Sequence, residues 1–413
     1  MSSPAPRVFY SYSHAATGFA ARLTGRQAAR LASSGSVLAI VPDVMQEVHT
    51  TLTPSFLGLS SSSGLLPASN GATDVVIGVI DTGVYPEGHA SFAADPSLPP
   101  LPPGKFRGGC DSESPLDTNG HGTHTSSTAG GFAVADAAFY DYARGKAVGM
   151  APGARIAVYK VCWKGCASSD ILAAFDEAIA DGVDVISVSL GAVGKAPEFY
   201  GDTTAMGAFH AVSKGIVVSA SAGNSGPRES TAVNVAPWFL TVGASTLNRQ
   251  FPADVVLGNG ETFTGTSLYA GQPLGSTKIP LVLGEDMGSN VCQVGKLNAT
   301  MVAGKIVLCD PNMVGRAAKG HAVKLAGGAR AIRISDVVYG EQSITTPHVL
   351  PATGVPFAAG EKIKMYIRAQ ASPTATIVFR GTVVGPTPPS PRMASFSSRG
   401  PNTRTAEIFK PDV

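Results

Sequence analysis

Val75-Val76-Ile77-Gly78-Val79-Ile80 carries no polar side chain, and Asp81 follows it directly. A strand that is apolar on both faces must be covered on both faces. That is the condition of a parallel sheet layered between helices. The same theme returns downstream. Ala154 to Val161, Val183 to Leu190, Ile216 to Ala220 and Phe239 to Ala244 read as further strands. Between them, Asp170 to Asp181 sets Ile171, Leu172, Phe175, Ala178 and Ile179 at helical spacing, with Ser169 or Asp170 as the cap. Thr203 to Lys214 reads as another helix, ended by Gly215. This alternation implies right-handed crossovers and an α/β fold, with functional loops at the strands' C-terminal ends.

The chain has 413 residues, 44% of them hydrophobic and 15% charged, enough apolar surface for more than one core. Its 31 Lys+Arg against 29 Asp+Glu leave a net charge of +2. That balance speaks against disorder and against a basic nucleic-acid surface. No apolar stretch approaches the roughly 20 residues of a membrane span. Neither nucleic acid nor a membrane is therefore expected as a partner.

Two other regions have their own character. Near the N-terminus, Val8 to Tyr12 alternates like a strand, and Thr24 caps a helix running to Ala32. Val37 to Val41 reads as a second strand, stopped by Pro42, and residues 60–72 as a Ser/Gly-rich linker. From 262 to 383 short strands dominate: Lys278 to Leu283, Lys305 to Cys309, Ala329 to Ile334 and Thr374 to Phe379. With one helix near Arg316 to Leu325, this reads as a smaller, mainly-β domain. Pro386 to Pro391 returns the chain to the first domain.

The five cysteines are Cys110, Cys162, Cys166, Cys292 and Cys309. Cys162 and Cys166 read as a short-loop disulfide, with buried free thiols as the other reading; a zinc site would want four ligands. Cys292 and Cys309 flank a strand-like run and are a second candidate pair, which leaves Cys110 odd. Asn298-Ala299-Thr300 is a glycosylation sequon, of use only in a secreted protein. The first thirty residues carry Arg7, Arg22, Arg26 and Arg30, and no signal peptide is visible.

Three segments could carry chemistry. Asp81 stands at a strand end in Asp81-Thr82-Gly83, a triplet that aspartic proteases also use; they need a second such aspartate, and none occurs here. Alone it could equally be an aspartate capping a turn. Asn119-Gly120-His121-Gly122-Thr123-His124-Thr125 sets two histidines among glycines, where a ring can face a cleft. As a metal pair, His121 and His124 would lack the intervening glutamate and third ligand of a zincin helix. In Ala222-Gly223-Asn224-Ser225-Gly226-Pro227, the Asn224 amide could donate to a developing oxyanion, or serve as a turn asparagine.

Taken in order, Asp81, His121 and Asn224 with their flanks resemble the subtilisin-like serine proteases. The finer match is to plant subtilases. It rests on Val79 to Glu87, Gly120 to Thr125, Ala222 to Pro227, Tyr159-Lys160-Val161-Cys162-Trp163 and Phe396-Ser397-Ser398-Arg399-Gly400-Pro401. The resemblance implies a subtilisin-like parallel sheet flanked by helices. It implies that residues 1–49 are an inhibitor-type propeptide remnant, α+β in structure, and that residues 50–261 are the first part of the catalytic domain. Residues 262–383 would be an inserted protease-associated domain, and 384–413 the return to the catalytic domain. It further implies Asp81 and His121 as catalytic residues and Asn224 as oxyanion donor. Ser189, Leu190 and Gly191 would pair with substrate backbone, and Ala222 and Gly223 would line the specificity pocket. Protein or peptide substrates are expected, with the propeptide as intramolecular inhibitor and a homodimer through the protease-associated domain. No cofactor and no metal is implied. An extracellular location, apoplast or cell wall, is expected for the family.

The family's nucleophile lies in a Gly-Thr-Ser-Met-Ala motif soon after Lys-Pro-Asp, and this sequence ends at Lys410-Pro411-Asp412-Val413. The expectation is that the serine is absent. Gly265-Thr266-Ser267-Leu268 is not a substitute, because it lacks the helix that follows a subtilase nucleophile. The segment between Cys110 and Asn119 is also shorter than in family members. The expected function is a serine endopeptidase by resemblance, with this chain inactive as it stands. The alternative is a non-catalytic pseudoprotease, or a peptide-binding or inhibitory fragment.

Overall fold

The computed structural model describes residues 7–12, 18–37, 53–60, 63–93, 98–101, 103, 105, 114–163, 165–272, 275–312, 314–386 and 388–413. The chain divides into two units, Met1–Glu47 and Val48–Val413.

In the first unit, strand Arg7–Tyr12 pairs antiparallel with strand Gly18–Arg22, and helix Gly25–Ala32 follows. Thr24 caps that helix as expected. Its hydroxyl accepts from the Gln27 N–H at 3.4 Å, and the Gln27 side-chain oxygen accepts from the Thr24 N–H at 2.8 Å. This reciprocal capping box satisfies two backbone donors at once. Beyond Val37, the expected strand up to Val41 lies outside the described residues.

The second unit is built on two large sheets, with two-stranded ladders beside them. The first is parallel throughout, in the order Arg155–Lys160, Val76–Asp81, Val185–Val188, Val217–Ser221, Leu240–Val242. All six residues of Val76–Asp81 are buried, as an apolar strand with a neighbour on each side must be. Helices Ser168–Asp181 and Thr203–Ser213 bring Phe175, Ala205, Ala208 and Ala211 onto Ile80, Ile186 and Val218. Asp202 caps the second helix, its carboxylate accepting from the N–H groups of Thr204 at 3.0 Å and Ala205 at 3.3 Å. The first helix lacks the expected cap at Ser169 or Asp170. Its N-cap is Ala167, without a side-chain hydrogen bond, and Asp170 sits in the first turn, where its charge complements the helix dipole.

The second sheet runs Thr262–Phe263, Ala253–Leu257, Thr374–Phe379, Ile279–Leu283, Ile306–Cys309, Arg330–Ile334, Ala352–Val355. It begins at Ala253, ahead of residue 262, because Ala253–Leu257 pairs along its whole length with Thr374–Phe379. The mainly-β expectation needs correction too. The four strands from Ile279–Leu283 to Ala352–Val355 are parallel, and parallel neighbours need crossovers. Helix Arg316–Leu325 supplies one, and helix Phe357–Ala369 covers the sheet with Gly360, Ile363, Tyr366 and Ile367. Cys292 and Cys309 form a disulfide under this sheet, both fully buried beside Val302 and Val323. The chain enters and leaves the second sheet side by side: Arg249–Gln250 pairs antiparallel with Val383–Val384.

Candidate active site

The Val76–Asp81 strand delivers Asp81 at its C-terminal end, 1% exposed. Oδ1 accepts from the Thr82 N–H at 2.7 Å and lies 2.7 Å from His121 Nδ1. Oδ2 accepts from the Thr125 hydroxyl at 3.0 Å. An ionised carboxylate offers only acceptors, so it favours the tautomer with hydrogen on Nδ1 and leaves Nε2 as the basic nitrogen. The His121 side chain is 44% exposed.

His121 opens helix His121–Gly130, whose N-cap, Gly120, has no side chain to offer. Asp117 takes over the capping. Its Oδ1 accepts from the N–H groups of Asn119 and Gly120, each at 2.8 Å. Its Oδ2 accepts from the Thr123 N–H at 3.0 Å and the Thr123 hydroxyl at 2.6 Å. Burial alone would raise the Asp117 carboxyl; the hydrogen bonds from Gly120, Thr123 and Asn119 outweigh it and hold the group well below the usual carboxylate range. Thr82 closes the link between strand and helix. Its hydroxyl donates to Asp117 at 3.0 Å and accepts from the Gly122 N–H at 2.8 Å. At the crossing, Gly83 has φ +102, and a Cβ there would stand 2.3 Å from the Pro115 carbonyl oxygen. Only glycine fits such a place.

Ser189, Leu190 and Gly191 follow strand Val185–Val188, where the ladder to Val217–Ser221 has ended, so their backbone lies outside it. Asn234, 3% exposed, joins the two strand ends: its Nδ2 donates to the carbonyls of Leu190 and Ser221, each at 2.9 Å. Ala222 is buried, held by the Val242 carbonyl at 2.8 Å and the Val233 N–H at 3.0 Å. Gly223 has φ +96 and its carbonyl accepts from the Ser398 N–H at 2.9 Å, while the Ser398 hydroxyl accepts from the Ser225 N–H at 3.0 Å. Asn224 between them is exposed. Because the sheet is parallel, Asp81, Ser189–Gly191 and Asn224 all follow strand ends on one edge.

Residues 72–413 match the model of the subtilase family, and residues 2–49 match the peptidase inhibitor I9 model. The chain belongs to the subtilase family. Subtilisin-like protease SBT1.4 of Arabidopsis thaliana is 51% identical over 452 residues, which cover 100% of this chain and 58% of the relative. Subtilisin-like protease SBT1.7 of the same plant is 44% identical over 453 residues, covering 100% of this chain and 59% of the relative. This subtilase chain therefore spans less than two thirds of the length of those relatives. An alignment of 452 positions on 413 residues also means that SBT1.4 carries internal segments without a counterpart here. The psychrophilic subtilisin-like protease Apa1 of Pseudoalteromonas sp. AS-11 aligns over 83% of this chain and 82% of its own, at 18% identity and a TM-score of 0.33, too loose to add to the family match. The subtilisin-like parallel sheet flanked by helices, expected from the sequence, is the fold observed.

The remaining residues singled out in this subtilase sequence fall elsewhere. Ser267 lies between the isolated bridges of Thr266 and Leu268, 1% exposed, its hydroxyl accepting from the Tyr269 N–H at 3.1 Å. No described serine hydroxyl hydrogen-bonds to the His121 ring. Cys162 and Cys166 form a disulfide, with Cα atoms 4.2 Å apart. Cys110 lies outside the described residues. Asn298 is exposed and caps a short turn of helix. Asp117, Thr82, Thr125, Asn234 and Ser398 were not singled out from the sequence. Asp117 had a readable signal, an aspartate just ahead of a helix start.

Proposed function

We propose that this chain supplies the aspartate, the histidine and the oxyanion donor of a serine endopeptidase acting on protein or peptide substrates. The observation that carries the reading is the 2.7 Å contact between His121 Nδ1 and the buried Asp81 carboxylate. Held so, His121 Nε2 takes a proton from an attacking serine hydroxyl and returns it to the leaving amine. Asp81 orients the ring and stabilises its cation. The Asn224 amide donates to the oxyanion of the tetrahedral intermediate. The backbone of Ser189–Gly191, which lies beyond the strand ladder, pairs with the substrate chain, and Ala222 and Gly223 line the pocket beside it. Residues 2–49, matched by the inhibitor model, act as an intramolecular inhibitor. We read the second sheet as a protease-associated domain. Two disulfides and the exposed Asn298 support an oxidising, extracellular compartment.

No serine of this sequence is assigned as nucleophile. Acyl transfer then needs a serine from outside these 413 residues, and the 413-residue chain alone is inactive. The test joins the chain to the C-terminal remainder of a subtilase relative and measures casein hydrolysis by the folded fusion. The fusion is expected to cut casein and the 413-residue chain not to. His121→Ala and Asp81→Asn should each lower kcat by about 10⁴ or more, as when a subtilisin triad member is removed. Asn224→Ala should lower it about 10²–10³-fold, the range known for a subtilisin oxyanion donor. A fusion that keeps its activity with His121→Ala would sink the reading.

A further inference from the structure

A cavity of about 490 Å³ opens in the second sheet, between strand Arg330–Ile334 and the first turn of helix Arg316–Leu325. Three cations line it: Arg333, Lys319 and Arg316. Arg333 is 5% exposed and Lys319 3% exposed. Charges buried to this depth ordinarily bring a counter-charge with them. Among the described residues, none of these three forms an ion pair. Asp310, beside Lys319, gives its carboxylate to Lys364 at 2.7 Å. Lys319 Nζ donates instead to neutral acceptors: the Asp310 carbonyl at 2.5 Å, Asn312 Oδ1 at 2.7 Å and the Val291 carbonyl at 3.3 Å.

Arg333 is served less well. Its Nη atoms donate to the Ser335 hydroxyl at 3.4 Å, the Ser343 hydroxyl at 3.3 Å and the Ile344 carbonyl. Its Nε is buried without a partner. The carboxylate in the lining, Asp336, is turned to its own backbone and accepts from the Val338 N–H at 3.1 Å. The cations also repel one another. Burial, then Arg333, holds the Lys319 ammonium down to about 8 against the pull of Asp310. Burial, then Arg316, holds the Arg333 guanidinium down to about 10. The helix adds to this field. Gly315 at its N-cap has no side chain to bond the first-turn N–H groups, and Gly315 and Arg316 both face the cavity.

We propose that this cavity binds a small organic anion through carboxylate or phosphate oxygens. Arg333 and Lys319 form the buried floor of the site, and the exposed Arg316 stands at its mouth. An oxyanion there supplies the counter-charge that Arg333, Lys319 and Arg316 lack among the described residues. The volume is that of a small-molecule site and exceeds what an inorganic ion fills. Val314, Ile334, Tyr339 and Ile344 supply apolar surface for the body of the ligand.

The test titrates the 413-residue chain with citrate and, separately, with inorganic phosphate. Calorimetry and the thermal midpoint are read against sodium chloride of equal ionic strength. A saturable rise in midpoint with at least one of the two is expected, absent with chloride. Tighter binding of citrate marks a carboxylate ligand, and tighter binding of phosphate a phosphate ester. Arg316→Ala changes an exposed residue and leaves folding intact; it should weaken binding at least about tenfold, the worth of a charge-assisted contact. Arg333→Met should abolish it. The proposal falls if neither anion saturates by about 10 mM, past the millimolar range of weak sites. It falls equally if chloride reproduces the rise, or if Arg316→Ala binds as the parent does.

Discussion

A Cβ on Gly122 would stand 2.1 Å from the carbonyl oxygen of Gly83. The strand end that presents Asp81 and the helix start that presents His121 thus meet backbone to backbone, and the spacing of the two side chains depends on that closeness. Gly122→Ala must push the helix away. It should destabilise the fold by about 1–3 kcal/mol, the usual cost of overpacking. Urea unfolding checks the stability. In the active fusion, kcat should fall with little change in KM, because the histidine moves and the substrate-pairing backbone does not.

Asp117 gives a pH signature. Its carboxyl is held below the ordinary range in the folded chain, so the unfolded chain takes up its proton first as pH falls. The stabilisation is complete above the unfolded value of about 4 and drains away below it. Asp117→Asn accepts fewer of the five hydrogen bonds now made to the carboxylate, and should be clearly less stable at pH 7. The gap to the parent should close as the pH drops from about 4 toward 2. Unfolding midpoints of both proteins across that window decide the matter; a gap that stays constant would refute it.

Asn234 holds the carbonyls of Leu190 and Ser221 with a single amide nitrogen. Asn234→Ala leaves both acceptors without that donor, at about 1–3 kcal/mol for a buried unsatisfied group. It also frees the Ser189–Gly191 segment. The expected result is a lower unfolding midpoint together with a raised KM for peptide substrates in the fusion. Asn234→Asp should not rescue it, since a carboxylate cannot donate to a carbonyl.

The Cys292–Cys309 disulfide closes a loop with a sequence separation of 17. Loop-closure entropy for a loop of that size is worth about 3 kcal/mol. The double variant Cys292→Ala/Cys309→Ala should lower the unfolding midpoint of the second sheet, and dithiothreitol should lower the parent's midpoint by more than the variant's, which keeps only the Cys162–Cys166 disulfide.

The first sheet was legible because its strands are apolar on both faces. Val75 to Ile80 has no other stable environment, and Phe175 and Ala178 repeat at the spacing that faces such a sheet. Asp81 and His121 were legible as residues and, through the resemblance, as partners, but what holds their contact was not. The contact depends on Thr82, Gly83, Asp117 and Gly122, four residues whose roles are set by a crossing of chain segments far apart in sequence. The second sheet was read with too few helices. Ile363 and Ile367 stand four apart and mark a helix, but the strands around them drew the reading toward β structure. Strand Gly18–Arg22 gave almost no signal, since Gly18, Ala20 and Ala21 have little strand preference of their own.

The short ladder in which Arg249 faces Val384 and Gln250 faces Val383 has a consequence for how such a chain can change over time. Everything between those two rungs leaves and rejoins the chain through one narrow doorway. A two-residue hairpin turn is enough to close such a doorway. The segment can thus be gained, lost or exchanged as a cassette, while the parallel sheet that carries Asp81 keeps its order of strands.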